Sequence, residues 1–261
     1  SESTVVRFAT EIGYSGYPAL QQAMQEMIRN RMTSVQRLEM TSTNIPLDRL
    51  LDSSMDQDID IIRRTKESIS HEEFYRAADA LVKVKKVYII GAGSSLAIAT
   101  FLSHYFSLVF DSVQLISATS EAQILQQMVH IGEGDALIGI SFPRYSMRTM
   151  KALEFANSRK AKVITITDSV HSPMNVYAAC TLIAKSDMAS IVDSLVAPLS
   201  VINALVVALC MKRQADVKKT LESMEKLWDE YQVYSNDEIN GLDDARPMGG
   251  KKAALPVKEK A

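Results

Sequence analysis

From residue 86 onward, short runs of apolar, β-branched residues alternate with longer stretches of mixed polarity. Stretches of helical length separate most of these runs, which is typical of parallel strands that crossover helices connect and cover on both faces. We therefore predict an α/β fold with a doubly wound, five-stranded parallel sheet in the flavodoxin-like strand order. The connection before the fifth run is short and contains Pro173, so we expect a single helical turn there. The predicted strands are residues 86–91, 113–117, 136–141, 162–168 and 180–185.

The most apolar segment, residues 191–211, reads IVDSLVAPLSVINALVVALCM. It is long enough for a membrane helix, which needs about 20 apolar residues. Asp193, Ser194 and Asn203 interrupt it, however, and the sequence offers no second candidate. A helix that is apolar nearly all round can equally lie between a sheet and another subunit. We predict such a buried helix, and with it no membrane association and a homodimer or higher homo-oligomer.

Two helices are predicted within residues 1–32. The first runs from about Ser3 to Glu11 and ends at Gly13, a residue that commonly terminates helices. The second begins at Pro18, since proline is favoured in the first helical turn. Its predicted apolar face consists of Leu20, Met24, Met27 and Ile28.

The next segment, residues 33–54, is polar and predicts a linker with at most one short helical turn. A helix near 55–69 follows, and Ser70 and Glu73 have the capping-box spacing that begins another. After the apolar segment, an amphipathic helix is predicted at about 215–234. Residues 236–261 have too little apolar content to pack, so we expect a disordered tail.

Composition excludes some classes of protein. The chain has 261 residues, a formal net charge of −2 and only two cysteines, so neither a strongly basic surface nor a disulfide framework is expected. We find no secretory leader pattern and expect a reducing, cytoplasmic compartment. The four histidines lack the spacing of metal ligands, and we expect neither a metal nor another cofactor.

Candidate chemistry lies where such a sheet binds ligands, outside the carboxyl ends of the strands at the point where the strand order reverses. Two hydroxyl-bearing loops are predicted there, GAGSS at 91–95 and SFPRYS at 141–146, and each leads into a helix. Helix N-termini favour anions, and glycine lets the backbone approach a ligand closely. Arg144 and Arg148 add positive charge. The loops indicate a small phosphorylated ligand.

Each loop also has a purely structural interpretation. GAGSS can be a tight strand-to-helix turn, and Ser141 and Ser146 can be simple helix caps. A dinucleotide is disfavoured because Leu96 stands where the dinucleotide-binding pattern requires its third glycine.

The stretches VYIIGAGSSLAIA, DALIGISFPRYSMRTMKALEFANSRKAKVITITDS and IVDSLVAPLSVINALV resemble a sugar isomerase (SIS) domain, a phosphosugar-binding α/β fold. The stretch STVVRFATEIGYSGYPAL resembles the end of the helix-turn-helix domain of RpiR-type (MurR/RpiR family) transcriptional regulators. The resemblance implies five regions. They are the end of a helix-turn-helix domain (1–32), a linker and helix (33–69), the SIS domain (70–212), a C-terminal helix (213–235) and the tail (236–261).

The resemblance also implies a sugar-phosphate effector. SIS domains commonly carry Ser-x-Ser-Gly-x-Thr after the third strand, and here Ser141 matches the first hydroxyl and Ser146 replaces the last. Pro143 and Arg144 replace the middle Ser and Gly. The candidate ligand-binding residues are Gly91, Gly93, Ser94, Ser95, Ser141, Arg144, Tyr145 and Ser146.

By the same resemblance, the first helix is the recognition helix that contacts operator DNA in the major groove. Its candidate DNA-binding residues are Ser1, Ser3, Thr4 and Arg7. We expect the helices that precede it to belong to a longer, full-length parent.

Three functions remain open. The first is a DNA-binding regulator of carbohydrate metabolism that responds to a sugar phosphate. The second is a sugar-phosphate isomerase of the same fold, for which Glu121 and His104 are the candidate general bases. The third is a SIS module that serves only to dimerise. The helix-turn-helix remnant favours the regulator, and we expect no enzyme activity.

Overall fold

The computed structural model describes residues 2–44, 46–186 and 192–233. Its five strands form one parallel sheet with the order β2-β1-β3-β4-β5. This confirms the predicted flavodoxin-like order, and the strands agree with the predicted runs to within one or two residues. The strands are β1 (Val87–Gly91), β2 (Val113–Ile116), β3 (Ala136–Ile140), β4 (Lys162–Thr167) and β5 (Cys180–Ile183).

Ten α-helices lie within the described residues. The described residues divide into two compact units on either side of the boundary between Val217 and Lys218, and the whole sheet belongs to the first. The helices are α1 (Glu2–Glu11), α2 (Tyr17–Arg31), α3 (Ser34–Asn44), α4 (Leu50–Ser68), α5 (His71–Val82), α6 (Ser95–Phe106), α7 (Glu121–Gln127), α8 (Met147–Ser158), α9 (Val196–Lys212) and α10 (Gln214–Glu230).

The sheet is buried on both faces, which explains the continuous apolar runs of its strands. Along β1, Val87 and Ile89 belong to a core that α5, α6 and α9 cover, whereas Tyr88 and Ile90 belong to a second core beneath α7 and α8. The crossover before β5 contains only a 3₁₀ helix, Pro173–Tyr177, as predicted from its length and proline.

Helix α9 confirms the buried helix only in part. It begins at Val196, not at 191, and residue 191 lies outside the described residues. One side of α9 packs against the core, but Val207 and Met211 on the other side are exposed. No single helix among the described residues is long and apolar enough to cross a membrane; only α9 and α10 together, as a bent pair, reach that length and composition.

At the N-terminal end, α1 and α2 pack against each other around Ala9 and Leu20, which are both buried. Gly13 has a positive φ of 96° just after α1, so the predicted terminator is confirmed. Pro18 occupies the second position of α2. Of the apolar face predicted for this helix, Leu20 is buried, whereas Met24, Met27 and Ile28 are exposed.

The predicted linker at 33–54 is wrong. Residues 34–44 form α3, and α4 begins at Leu50, five residues earlier than predicted. A complete capping box begins α3: the amide of Gln36 donates to Thr33 Oγ1 at 3.2 Å, and the amide of Thr33 donates to Gln36 Oε1 at 2.9 Å. This capping box was a readable signal in the sequence.

The capping box predicted at Ser70 and Glu73 is only half formed. Ser70 Oγ accepts from the Glu73 amide at 3.2 Å, as predicted. The Glu73 carboxylate instead accepts from Arg76 at 2.7 Å and from the backbone amide of Thr181 in β5 at 3.2 Å. Glu73 therefore attaches α5 to the end strand of the sheet.

Helix α10 confirms the predicted amphipathic helix near 215–234. The tail predicted at 236–261 lies outside the described residues.

Candidate functional site

The strand order places the candidate loops side by side. Strands β1 and β3 are neighbours, but β2 and β4 lie on opposite sides of this pair, so the crossovers leave in opposite directions. Gly91 pairs with Ile140 in the register of the two strands. The loops that follow these residues therefore leave the sheet together, at the topological switch point where doubly wound sheets bind ligands.

The β3 loop folds back on its own serine hydroxyls. The backbone amide of Ser146 donates to Ser141 Oγ at 3.1 Å. The amide of Thr149 donates in turn to Ser146 Oγ at 3.3 Å, so Ser146 is the N-cap of α8. Both predicted hydroxyls thus lie at the positive end of the α8 dipole and also hold the loop in shape.

Arg144 stands in the left-handed region, with a φ of 62°. Glycine adopts this conformation without strain, which agrees with the glycine that the SIS pattern carries there. The Arg144 side chain is exposed at the rim of the loop. Arg148 instead donates to the carbonyl of Thr119, beyond the end of β2.

Tyr145 links the β3 loop to the end of β4. Its hydroxyl donates to Asp168 Oδ1 at 2.9 Å, and Thr167 Oγ1 lies 3.2 Å from the same oxygen. Burial raises the pKa of the Asp168 carboxyl, while the hydrogen bond from Tyr145 opposes that rise. Burial and the Asp168 charge also raise the pKa of Tyr145, so its hydroxyl stays protonated and donates. Tyr145 therefore positions the loop.

The β1 loop contains two glycines with different roles. A Cβ on Gly91 would stand 2.6 Å from the backbone oxygen of Ser95, so this glycine allows α6 to approach its own strand. The ligand-binding role of Gly91 stays a prediction. Gly93 has a φ of 60° and open space around it. Ser95 is buried in the first turn of α6, whereas Ser94 is exposed.

Two further residues at this site, Asp193 and Arg37, were not predicted from the sequence. Ser94 Oγ donates to Asp193 Oδ2 at 3.4 Å, and Asp193 Oδ1 accepts from Arg37 Nη1 at 2.8 Å. Arg37 belongs to α3 and Asp193 precedes α9, so neither is near Ser94 in the sequence. No local motif marks such long-range contacts.

The candidate general bases of an isomerase lie apart from each other. Both Glu121 oxygens accept from Lys151 Nζ, at 2.7 and 2.9 Å. His104 is in the last turn of α6, about 14 Å along the helix axis from Ser95 at 1.5 Å per residue. His104 therefore lies away from the switch point. Within the described ranges, no cluster of His, Cys, Asp or Glu is arranged to hold a metal ion.

The candidate DNA-binding residues lie on α1, apart from Ser1, which is outside the described residues. Ser3, Thr4 and Arg7 are all exposed. Arg7 Nε stands 3.7 Å from Glu11 Oε1, a solvent-exposed pair one helical turn apart. The α1 surface is thus open to a partner.

Comparison with known proteins agrees with this architecture. Residues 80–208 match the SIS domain family. The HTH-type transcriptional regulator RpiR of Escherichia coli is 25% identical over 175 residues; the match covers 67% of this chain and 57% of RpiR, so the chain spans less than two thirds of that relative.

Two solved structures share the fold. The sugar isomerase domain of the RpiR transcription factor from Sphaerobacter thermophilus has a TM-score of 0.65 and 23% identity, covering 68% of this chain and 99% of that one. The Vibrio vulnificus NanR protein, solved with ManNAc-6P, has a TM-score of 0.63 and 18% identity, covering 90% and 83%. Phosphoheptose isomerases share the fold as well.

The doubly wound sheet and the serine loop at its switch point thus define a SIS domain. Residues 80–208 therefore form a SIS domain, and the chain as a whole is similar to RpiR-type transcriptional regulators that carry such a domain.

Proposed function

We propose that this chain is the effector-binding part of a DNA-binding regulator of carbohydrate metabolism, and that its SIS domain binds a sugar phosphate. The observation that carries the proposal is the β3 loop, in which Ser141 and Ser146 meet at the N-terminus of α8. The first-turn amides of Met147 and Arg148 have no acceptor within the helix, so an anion can take their hydrogen bonds. A phosphate group satisfies these donors and interacts favourably with the helix dipole.

The same geometry supports placing the sugar toward the β1 loop. Gly93 leaves open space there, and the Ser94 hydroxyl is exposed. Arg144, at the rim of the loop, adds positive charge where an anionic ligand enters. The NanR protein was solved with ManNAc-6P, so this compound belongs in the first set of ligands to test.

The DNA-binding part of the proposal rests on α1. Its outer surface carries Ser3, Thr4 and Arg7, residue types that contact phosphates and base edges. A regulator of this kind reads two half-sites as a symmetric dimer, and it works in the cytoplasm where the DNA lies. The exposed apolar side of α9 supports a homodimer or higher homo-oligomer.

The isomerase remains the alternative, because solved phosphoheptose isomerases have this fold. Fold alone does not choose between the two functions. Two observations favour the regulator: Lys151 engages Glu121 at 2.7 Å on the protein surface, and His104 lies away from the switch point.

The direct test is a thermal-shift screen of the chain against phosphorylated sugars, including ManNAc-6P, glucosamine 6-phosphate and fructose 6-phosphate. A ligand that binds only the folded state raises the melting temperature. We expect at least one sugar phosphate to do so while its unphosphorylated sugar does not. Turnover of any compound that is abolished by Glu121→Gln would instead support the isomerase.

The phosphate position is tested by replacing Ser141 and Ser146 together with alanine. Hydrogen bonds to charged groups contribute about 1.5–3 kcal/mol each, so the affinity should fall more than tenfold in calorimetry. Because Ser146 is also an N-cap, Ser120→Ala is the matched control: it removes the cap of α7 without touching the loop. An unchanged dissociation constant in the double variant would place the phosphate elsewhere.

DNA binding is tested with gel shifts of this chain and of a full-length parent. We expect the chain to bind DNA only non-specifically, with a dissociation constant of about 10⁻⁴–10⁻⁶ M and a strong dependence on salt. The parent should bind a palindromic operator, and Arg7→Ala in the parent should weaken that binding several-fold. Tight, specific binding by the chain alone would show that no preceding helices are needed and that the DNA-reading element has been misplaced.

A further inference from the structure

Asp193 is held between the candidate ligand loop and the helices that precede the SIS domain. It lies in the short segment 192–195 before α9. Its Oδ1 accepts from Arg37 Nη1 at 2.8 Å, and its Oδ2 accepts from Ser94 Oγ at 3.4 Å. The Arg37 side chain is only 2% exposed, whereas that of Asp193 is 25% exposed. The carboxylate is thus fixed on one side and open on the other.

The two oxygens of this carboxylate differ in how well they are satisfied. A buried guanidinium needs a close anionic partner, and Asp193 Oδ1 supplies one at short distance. The contact at Oδ2 is long, and a carboxylate offers about four acceptor positions in all. Oδ2 can therefore accept a shorter hydrogen bond from another donor. The pairing with Arg37 offsets the negative charge that would otherwise repel a phosphorylated ligand.

We propose that Asp193 is a specificity-determining residue of the effector site, whose Oδ2 accepts a hydrogen bond from a hydroxyl of the bound sugar. Arg37 is its positioning residue. The proposal rests on the proposed function, because it takes the phosphate to lie at the β3 loop and the sugar at Ser94. It adds a group outside the predicted loops that distinguishes a sugar phosphate from phosphate alone.

The same contact assigns a coupling role to the segment 192–195. Arg37 reaches it from α3, and Asp58 of α4 accepts from Ser194 Oγ at 2.7 Å. Both helices between α2 and the SIS domain are therefore attached to the segment that faces the sugar. A ligand that donates to Asp193 strengthens this attachment, which gives effector binding a route to the DNA-binding end of the chain.

The experiment compares affinities for sugar phosphates and for inorganic phosphate in the same chain. The probes are ManNAc-6P and the 6-phosphates of glucose, fructose, glucosamine and N-acetylglucosamine, with inorganic phosphate as the reference, all measured by calorimetry. We expect Asp193→Asn to weaken the best sugar phosphate at least tenfold and to change phosphate binding less than twofold. Asp79→Asn is the matched control, because it removes a carboxylate from the surface pair with Lys212 at 2.7 Å. We expect it to change neither affinity.

A second variant guards against misfolding, since Asp193→Asn removes the carboxylate that lies 2.8 Å from the buried Arg37 guanidinium. The double variant Arg37→Met with Asp193→Asn removes both charges and should show the same selective loss. If either variant keeps the wild-type preference for the sugar phosphate, the proposal is wrong. If the unmodified chain binds none of the probes, including phosphate, the proposed function itself fails.

Hydrogen exchange tests the coupling in the unmodified chain. The best sugar phosphate should slow amide exchange in residues 34–44 several-fold, while inorganic phosphate should slow exchange only in the loop at 141–149. If the sugar phosphate slows amide exchange in residues 141–149 but not in residues 34–44, the proposed coupling is wrong, and the proposed effector site still stands.

Discussion

The sheet domain, meaning β1–β5 and the helices that pack on them, buries its apolar residues. The pair of helices α1 and α2 leaves similar residues exposed. In the sheet, Ile138 and its neighbours are fully buried between two layers of helices. In α1, by contrast, the Phe8 side chain is 53% exposed, and Val5, Val6 and Ile12 are exposed with it. Ala9 and Leu20 are the buried apolar residues of the pair.

The difference indicates which part of the described chain can fold by its own packing. The sheet domain completes two hydrophobic cores from its own elements. The exposed apolar face of α1 comprises several side chains and not one isolated residue. Such faces commonly mark an interaction surface. We propose that this face packs against a partner surface, as the proposed helix-turn-helix assignment of α1 would require.

The largest expected difference in stability is between two variants, each of which truncates one side chain in one of the two regions. Ile138→Ala removes a fully buried side chain and should cost about 2–5 kcal/mol of unfolding free energy. Phe8→Ala should cost less than about 0.5 kcal/mol, because its side chain is already half in water. Urea unfolding followed by circular dichroism measures both. Equal losses would show that α1 packs as firmly as the sheet.

A pair of glycines sharpens the comparison within the sheet domain. Gly91→Ala forces a Cβ to within 2.6 Å of a backbone oxygen in α6, which no rotamer change relieves, so we expect a loss of about 3 kcal/mol. Gly93→Ala meets no neighbour and suffers only from its positive φ, which should cost about 1–2 kcal/mol. Thermal melts of the two variants should keep this order. The reverse order would mean that α6 can move away from β1.

The sheet domain has an exposed apolar region of its own, on the outer side of α9. Val207 is 57% exposed there. If this side faces a second subunit, Val207→Glu should convert the oligomer into monomer in sedimentation velocity at micromolar concentration, because an unpaired charge is costly in an interface. The control is Val176→Glu, which adds the same charge at an exposed position of the 3₁₀ helix before β5. A monomeric unmodified chain would refute the proposed oligomer.

The smallest effect concerns the pH dependence of the sheet domain. Burial raises the pKa of Asp168 in the folded state, so the folded chain holds this proton at pH values where the unfolded chain has lost it. This group therefore makes a contribution to stability that is lost as the pH rises above 3.8, the ordinary pKa, through the folded pKa. Asp168→Asn should gain stability relative to the unmodified chain over the same interval. Melting temperatures between pH 4 and 7 measure the difference, and a constant difference would contradict this assignment.

Much of the sheet domain was predictable because its signals are local. Each strand is a short apolar run, and helical stretches between them imply parallel pairing, so the runs led directly to the switch point and to the serine loops. The 3₁₀ crossover followed from a short connection with a proline. These features depend on spacing and residue type, which a sequence displays.

Other parts were missed for two physical reasons. Helix α3 is mostly polar, so apolar periodicity did not reveal it, although the Thr33–Gln36 capping box did mark its start. The contacts of Asp193 with Arg37 and Ser94 join residues about 100 or more positions apart, and only the tertiary fold brings them together. Glu73 likewise does not complete the capping box predicted with Ser70, because its carboxylate binds Arg76 and the backbone amide of Thr181.

The contacts of the Glu73 side chain also affect whether the sheet can pair with a strand of another chain. Strand β5 stands at one end of the sheet, and the open end of a sheet can recruit a strand from another chain and lead to aggregation. The Glu73 carboxylate binds the Thr181 amide, and Arg76 Nη2 donates to the carbonyl of Ala179 at 2.7 Å. An incoming strand would have to displace both side chains before it could pair. Helix α5 thus protects the chain against misassembly at that end of the sheet.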